Sequence, residues 1–162
     1  MNGQRSSRRA SDQSFAADMS AAMESDAYPY PTRPGVTAVM KGNRKTDTKP
    51  ELALRSALHR SGLRFRKNPS IKVDEGRTIR VDVVVPRAKL AVFVDGCFWH
   101  RCPQHGTVPR SNTGYWGPKL AGNVERDHET NIRLRSAGWA VLRVWEHQTA
   151  EEGLAAVRHA LR

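Results

Sequence analysis

From Thr48 onward the apolar residues fall at helical and strand periods. Thr48-Lys49-Pro50-Glu51 has the spacing of a capping box, with a proline in the first turn. Leu52, Leu54, Ala57, Leu58 and Leu63 supply the apolar positions of a helix that stops at Gly62. A short strand is predicted over residues 63–67. Residues 77–85 (RTIRVDVVV) are β-branched and alternate at first, so they read as one strand. Pro86-Arg87 turns the chain, and residues 90–94 (LAVFV) form a continuous apolar run, expected of a strand buried on both faces. A loop rich in Gly, Pro, Cys and His runs to about Gly117. Residues 118–137 predict a long helix closed by Gly138. Residues 139–145 (WAVLRVW) predict a strand and 151–161 a final helix. The order α-β-β-β-α-β-α describes a mixed α/β domain.

Residues 1–35 show no sustained period and are rich in Ser, Ala, Arg, Asp, Met and Pro. They predict a disordered tail that ends in an extended linker, YPYPTRPG (28–35). One domain, 36–162, remains. The chain carries 27 Lys+Arg against 16 Asp+Glu, a net +11. In the tail Arg5, Arg8, Arg9 and Arg33 cancel Asp12, Asp18, Glu24 and Asp26, so the whole excess belongs to the domain. A domain this basic is suited to a polyanion, most often nucleic acid. No apolar run approaches the roughly 20 residues that span a bilayer, and the N-terminus has no apolar signal core. A cytoplasmic, nucleoid-associated location is expected, with no membrane partner. The two cysteines, Cys97 and Cys102, suit metal binding better than a disulfide in a reducing compartment.

Three acids stand where acids are costly. Asp82 interrupts an apolar strand, and Asp95 ends the next one before Gly96. Two adjacent strands so marked can bring both carboxylates to one sheet edge, where hard oxygen ligands suit Mg²⁺. A structural pairing of Asp82 with Arg80 or Arg87 is the plainer alternative. On the long helix Leu120, Val124, Asn131 and Leu134 form one stripe at about 100° per residue. Asp127 lies within it, flanked by Asn123. Cys97, Cys102 and His105 offer three ligands of the kind Zn²⁺ takes, and a structural zinc wants a fourth. His147 is the best placed, with His100 and His128 as alternatives. A neutral imidazole at His100 is also suited to moving a proton at an attacking water. Phe98, Trp99, Tyr115 and Trp116 surround it in sequence. They can pack on the sheet or stack on bases.

These residues resemble the very-short-patch repair (Vsr) DNA mismatch endonucleases. The matching pieces are DTKPE (47–51), RVDVVV (80–85), VFVDGCFWHRCPQHG (92–106), YW (115–116), KLAGNVERD (119–127) and GWAVLRVWEH (138–147). They follow the family order over roughly residues 40–150. The resemblance implies a type II restriction-endonuclease-like, PD-(D/E)XK-type core: a mixed sheet flanked by helices, with a structural zinc. It implies Mg²⁺-dependent nicking 5′ to the thymine of a T·G mismatch left by deamination of 5-methylcytosine. Asp82 matches the principal Mg²⁺ ligand, and Val94 a position whose main-chain carbonyl also binds metal. His100 matches the histidine assigned to water activation, and Asp127 the acid that orients it. Glu51 matches a glutamate near the metal's water shell. Phe98, Trp99 and Trp116 match aromatics that insert beside the mismatch, and Met40 matches a wedge from the opposite groove. Lys119 and Asn123, in the KLAGNVERD match, join the expected DNA contacts.

There are departures. Val94 stands for a threonine of the best-known members. Asp95 stands for a histidine and adds an acid near the metals. The zinc set reads as Cys97, Cys102 and His105, and His147 stands for a cysteine after Trp-Glu. The expected partner is duplex DNA with a T·G pair, with mismatch-repair and repair-synthesis proteins beyond it, and the chain is expected to be a monomer. The alternatives are a restriction-type or mobile-element nuclease without mismatch preference, and a non-catalytic zinc-dependent DNA-binding module.

Overall fold

A computed structural model of the chain describes residues 46–74 and 76–162. The expected tail and Met40 lie outside the described residues. Helix α1 (Lys49–Arg60) begins at Thr48, whose hydroxyl accepts the Glu51 N–H. The capping box is modified: the Glu51 carboxylate takes the N–H of Asp47, one residue before the cap, at 3.0 Å. At the other end Gly62, at φ +78°, bonds back to His59 and Leu63 bonds back to Leu58. This is a Schellman closure, and the left-handed residue it needs is the glycine. Leu54, Ala57 and Leu58 face inward. Leu52 does not, being half exposed.

Four strands make the main sheet, in the order β1 (Arg66–Lys67), β4 (Val83–Val85), β5 (Leu90–Asp95), β6 (Ala140–Trp145). The first two pairings are antiparallel and β5 with β6 is parallel, so the sheet is mixed as expected. A second, two-stranded sheet pairs β2 (Ser70–Lys72) with β3 (Thr78–Arg80). The single strand expected over 77–85 is therefore two, and the 63–67 strand shrinks to two residues. The chain changes partners at Val81-Asp82. Val81 N–H still bonds the Pro69 carbonyl of the hairpin, and the Asp82 carbonyl already takes the Asn68 N–H. Alternation alone cannot show a change of partner, because both halves keep the same period.

Strand β5 is buried on both faces, as its apolar run predicts, and its side chains sort by parity. Leu90 and Val92 join a core with Leu54 and Leu58 of α1 and Val157 of α3 (Ala150–Ala160). Ala91 and Phe93 join the opposite core with Leu134 of α2 (Thr113–Ser136). Helices thus cover both faces of the sheet. Helix α2 starts five residues before the expected Pro118. Pro118 forfeits only the one bond its N–H would have made, and the N–H groups of Tyr115 and Trp116 already bond the Asn112 carbonyl. Its C-terminus closes at Gly138, φ +80°, as expected. The expected stripe holds at Leu120 and Leu134, whereas Val124 is exposed. By their contacts, Val108–Lys119 belong to one compact unit and the other described residues to a second. Among the described residues, no helix is long and apolar enough to cross a membrane.

Helix α3 has a reciprocal capping box between Thr149 and Glu152. Thr149→Ala removes an acceptor from the Glu152 N–H and should cost about 1 kcal/mol in denaturant unfolding. A cost indistinguishable from zero would mean that the cap is idle.

Candidate active site

Asp82 lies at the break between β3 and β4, beside the end of β5. Its Oδ2 accepts the Val94 N–H at 2.8 Å. Burial pushes its carboxyl up to about 6, and the nearby charges of Glu51 and Asp95 push in the same direction, against the Val94 N–H and Arg55. A half-buried carboxylate crowded by like charge is the group a hard divalent cation would relieve. The sheet pairing therefore sets Asp82, just before β4, against the end of β5, close enough to Asp95 for the two charges to act on each other.

Glu51 is buried beside them on the first turn of α1. Its Oε2 takes Arg55 Nη2 at 2.7 Å and the Asp47 N–H, and its Oε1 takes the Thr48 hydroxyl at 3.0 Å. Arg55, itself buried, also reaches Asp47 Oδ1 at 2.7 Å. Arg55 went unmarked in the sequence because an arginine one turn after a glutamate reads as a surface pair.

His100 sits on the loop after β5, its N–H bonded to the Gly96 carbonyl at 3.1 Å. Its Nδ1 meets Asp127 Oδ2 at 2.5 Å. The acid on the apolar stripe of α2 thus faces the histidine. With Nδ1–H donating to Asp127, Nε2 is left with the lone pair. Burial works against a charged ring here, but the hydrogen bond to Asp127 and the charges of Asp95 and Asp127 override it, and the His100 pKa is raised. One residue pair away, Asn123 Nδ2 donates to the Trp99 carbonyl at 3.0 Å and ties the loop to the same helix.

Asp95 is 4 % exposed, which decides that it needs a partner. Arg143 Nη1 supplies it, at 2.9 and 2.7 Å from the two carboxylate oxygens. The same nitrogen lies 3.3 Å from Asp127 Oδ1. Burial raises the Asp95 pKa against the pull of Arg143 and His100. Sequence reasoning missed Arg143. Its signal was there: like Asp82, it is a charge inside an apolar strand.

The second cluster joins three residues of the same loop to His147, which follows β6. The ligand atoms of Cys97, Cys102, His105 and His147 all fall within 4.8 Å of one another. Cys97 Sγ is 3.1 Å and Cys102 Sγ 3.7 Å from His147 Nδ1. The edges of a tetrahedral Zn site with S and N ligands are about 3.3–3.8 Å. Two thiols and two imidazoles at this spacing fit a soft tetrahedral ion. Of the three histidines weighed as the fourth member, His147 joins the group; His100 is given to Asp127. Glu146, which the sequence did not mark, accepts the Cys97 N–H at 2.6 Å. Gly106 has no room for a side chain, since a Cβ there would lie 2.5 Å from the Cys102 carbonyl oxygen.

Phe98 and Trp99 are half-buried and meet edge to face, with ring centroids 5.1 Å apart. In the other unit, Trp116 is buried and packs edge-on against Tyr115, and Lys119 Nζ lies 5.2 Å from the centre of the Tyr115 ring.

Comparison with known proteins bears on this arrangement. The family model described as DNA mismatch endonuclease Vsr matches residues 25–104. The type II nicking enzyme V.NaeI of Lentzea aerocolonigenes is 49% identical over 144 residues, 89% of this chain and 87% of that protein. The type II nicking enzyme V.XorIIP of Xanthomonas oryzae pv. oryzae is 38% identical over 71% of this chain and 82% of its own length. The DNA mismatch endonuclease Vsr of Escherichia coli (strain K12) is 40% identical over 101 residues, 62% of each chain. With acids at the strand ends and a His–Asp pair beside them, these likenesses carry one conclusion: the chain belongs to the Vsr DNA mismatch endonuclease family and is a DNA endonuclease, a hydrolase.

Proposed function

We propose that this endonuclease nicks duplex DNA on the 5′ side of the thymine of a T·G mismatch, in a Mg²⁺-dependent hydrolysis that serves very short patch repair. The observation that carries the reading is the His100–Asp127 pair at 2.5 Å, near the buried Asp95 and the half-buried Asp82. Asp82 and the Val94 main-chain carbonyl would hold Mg²⁺, with Glu51 adding negative charge nearby. When bound, the ion supplies charge stabilisation to the leaving 3′ oxygen. His100 takes the proton of the attacking water at Nε2, and Asp127 keeps the ring in that tautomer. Asp95 adds a second anion on the His100 side, 4.0 Å from Nδ1. Cys97, Cys102, His105 and His147 would hold a structural Zn²⁺ that shapes the loop.

Phe98, Trp99 and Trp116, with Met40, probe the base pair. A mismatch costs less to unstack than a Watson–Crick pair, so wedging aromatics discriminate by deformability. Lys119 and Asn123 would add further DNA contacts. The basic domain, net +11 for the chain, supplies affinity that is independent of sequence.

The test is single-turnover nicking of a labelled panel of duplexes in Mg²⁺. The expected product is a nick 5′ to the thymine of T·G, at a rate well above that on the matched T·A and C·G duplexes. Equal cutting of matched duplex would favour a restriction-type or mobile-element nuclease of the same fold without mismatch preference. Intact DNA throughout would leave only a zinc-dependent DNA-binding module.

A further inference from the structure

We infer that Arg143 is a positioning residue of the nicking reaction: one guanidinium clamps Asp95 and Asp127 together and so sets the plane of His100. The inference rests on the His100 assignment just proposed. Arg143 points from β6 into the opposite core, where an unpaired charge is costly. Its guanidinium lies 4.8 Å from the Phe93 ring centre. Nη1 donates to both oxygens of Asp95. Nη2 donates to the Asp127 carbonyl at 3.3 Å, and Nε donates to Asn131 Oδ1, one turn further along α2, at 3.1 Å.

These contacts hold two elements at once. Asp127 and Asn131 are four residues apart and share one face of α2. Fixing both sets the rotation of that helix over the end of β5. The Asp127 carboxylate is then held from two sides, Oδ1 by Arg143 at 3.3 Å and Oδ2 by His100 at 2.5 Å. An acid held so cannot swing, and the ring it orients cannot turn. Arg143 also lets Asp95 and Asp127 stand near one imidazole without mutual repulsion driving them apart. Only the planar fork of arginine, with five donors, reaches all of these acceptors. A lysine offers the charge without the fork.

The experiment is a double-substitution cycle in single-turnover nicking, run on whichever duplex the wild-type protein cuts fastest. Running it so keeps the result independent of mismatch preference. Arg143→Met should slow nicking about 100-fold, the cost of a small misplacement at the reacting centre. The dissociation constant for the same duplex should stay within about 2-fold, because Arg143 is given no DNA contact. In a His100→Ala background the same substitution should cost less than about 3-fold, since residues that act as a unit are not additive. Should Arg143→Met not fold, Arg143→Lys keeps charge and stem. It should lose about 10-fold, again only when His100 is present. A plain structural strut predicts equal cost in both backgrounds, and that result overturns the inference alone. Wild-type nicking by Arg143→Met overturns it as well. Full activity of His100→Ala would overturn the base assignment, and the inference with it.

Discussion

Asp82→Asn should abolish Mg²⁺-dependent nicking while leaving a folded protein that still binds duplex DNA. Asparagine has nearly the same shape, and its side-chain oxygen can still accept the Val94 N–H that Oδ2 accepts at 2.8 Å. What it lacks is the negative charge proposed to hold the cation at the scissile phosphate. Metal stabilisation of transition-state charge contributes several kcal/mol, so the loss should be at least ~10³-fold. Stability should move the other way. Burial and the neighbouring acids that push Asp82 up to about 6 are a folding cost at neutral pH, and asparagine does not carry it. The measurements are single-turnover nicking, thermal unfolding and duplex binding in chelator. Nicking by Asp82→Asn at the wild-type rate would sink the proposed metal site. Inactivity together with unfolding would assign Asp82 to the fold instead.

Stripping the Zn²⁺ proposed for the Cys97–Cys102–His105–His147 cluster should be as damaging, although none of these residues is proposed to touch the reacting phosphate. The loop that carries Cys97, Cys102 and His105, between β5 and α2, has little core of its own. Cys97 and Cys102 are its buried side chains in the stretch 96–107. Its internal backbone bonds run from His100 to Gly96, Cys102 to Cys97 and Gly106 to Cys102. Structural zinc supplies roughly 10–16 kcal/mol to small sites that otherwise do not fold. Without it His100 loses the backbone that presents it to Asp127. Nicking should fall to background in a zinc chelator and return with added Zn²⁺ but not with Mg²⁺ alone. Cys102→Ser should behave like the chelated protein. His147→Cys, which keeps a soft ligand at the same place, should retain zinc and most activity. Hydrogen exchange over residues 96–107 should accelerate on chelation while β4 and β5 stay protected. A zinc-free protein with undiminished nicking would refute the structural role.

Much of the site was legible residue by residue. Asp127 betrayed itself as an acid on an apolar stripe, and it does face inward to His100. Asp82 betrayed itself inside an apolar strand, and it does lie against β5. Cys97, Cys102 and His105 sit close enough in sequence to be read as one cluster. Arg55 escaped because it reads as a surface pair with Glu51, and Arg143 because the sequence does not show what an arginine inside an apolar strand pairs with. Its meaning depends on what stands opposite, which for Arg143 is Asp95, 48 residues away. Glu146 escaped for the same reason: its partner, the Cys97 N–H, is 49 residues away.

The sequence alone determined the elements whose signals are local. These are the cap at Thr48, the glycine stops at Gly62 and Gly138, the doubly buried β5 and the motif-bearing loop. Such signals work because capping, left-handed closure and side-chain parity involve neighbours within a turn or two. Only the tertiary structure decided where the 77–85 stretch changes partner, that β2 and β3 form a sheet of their own, and that His147 rather than His100 or His128 joins the two cysteines. Those outcomes turn on which distant segments pair, and a choice between pairings of equal local period is made by the packing of both faces together.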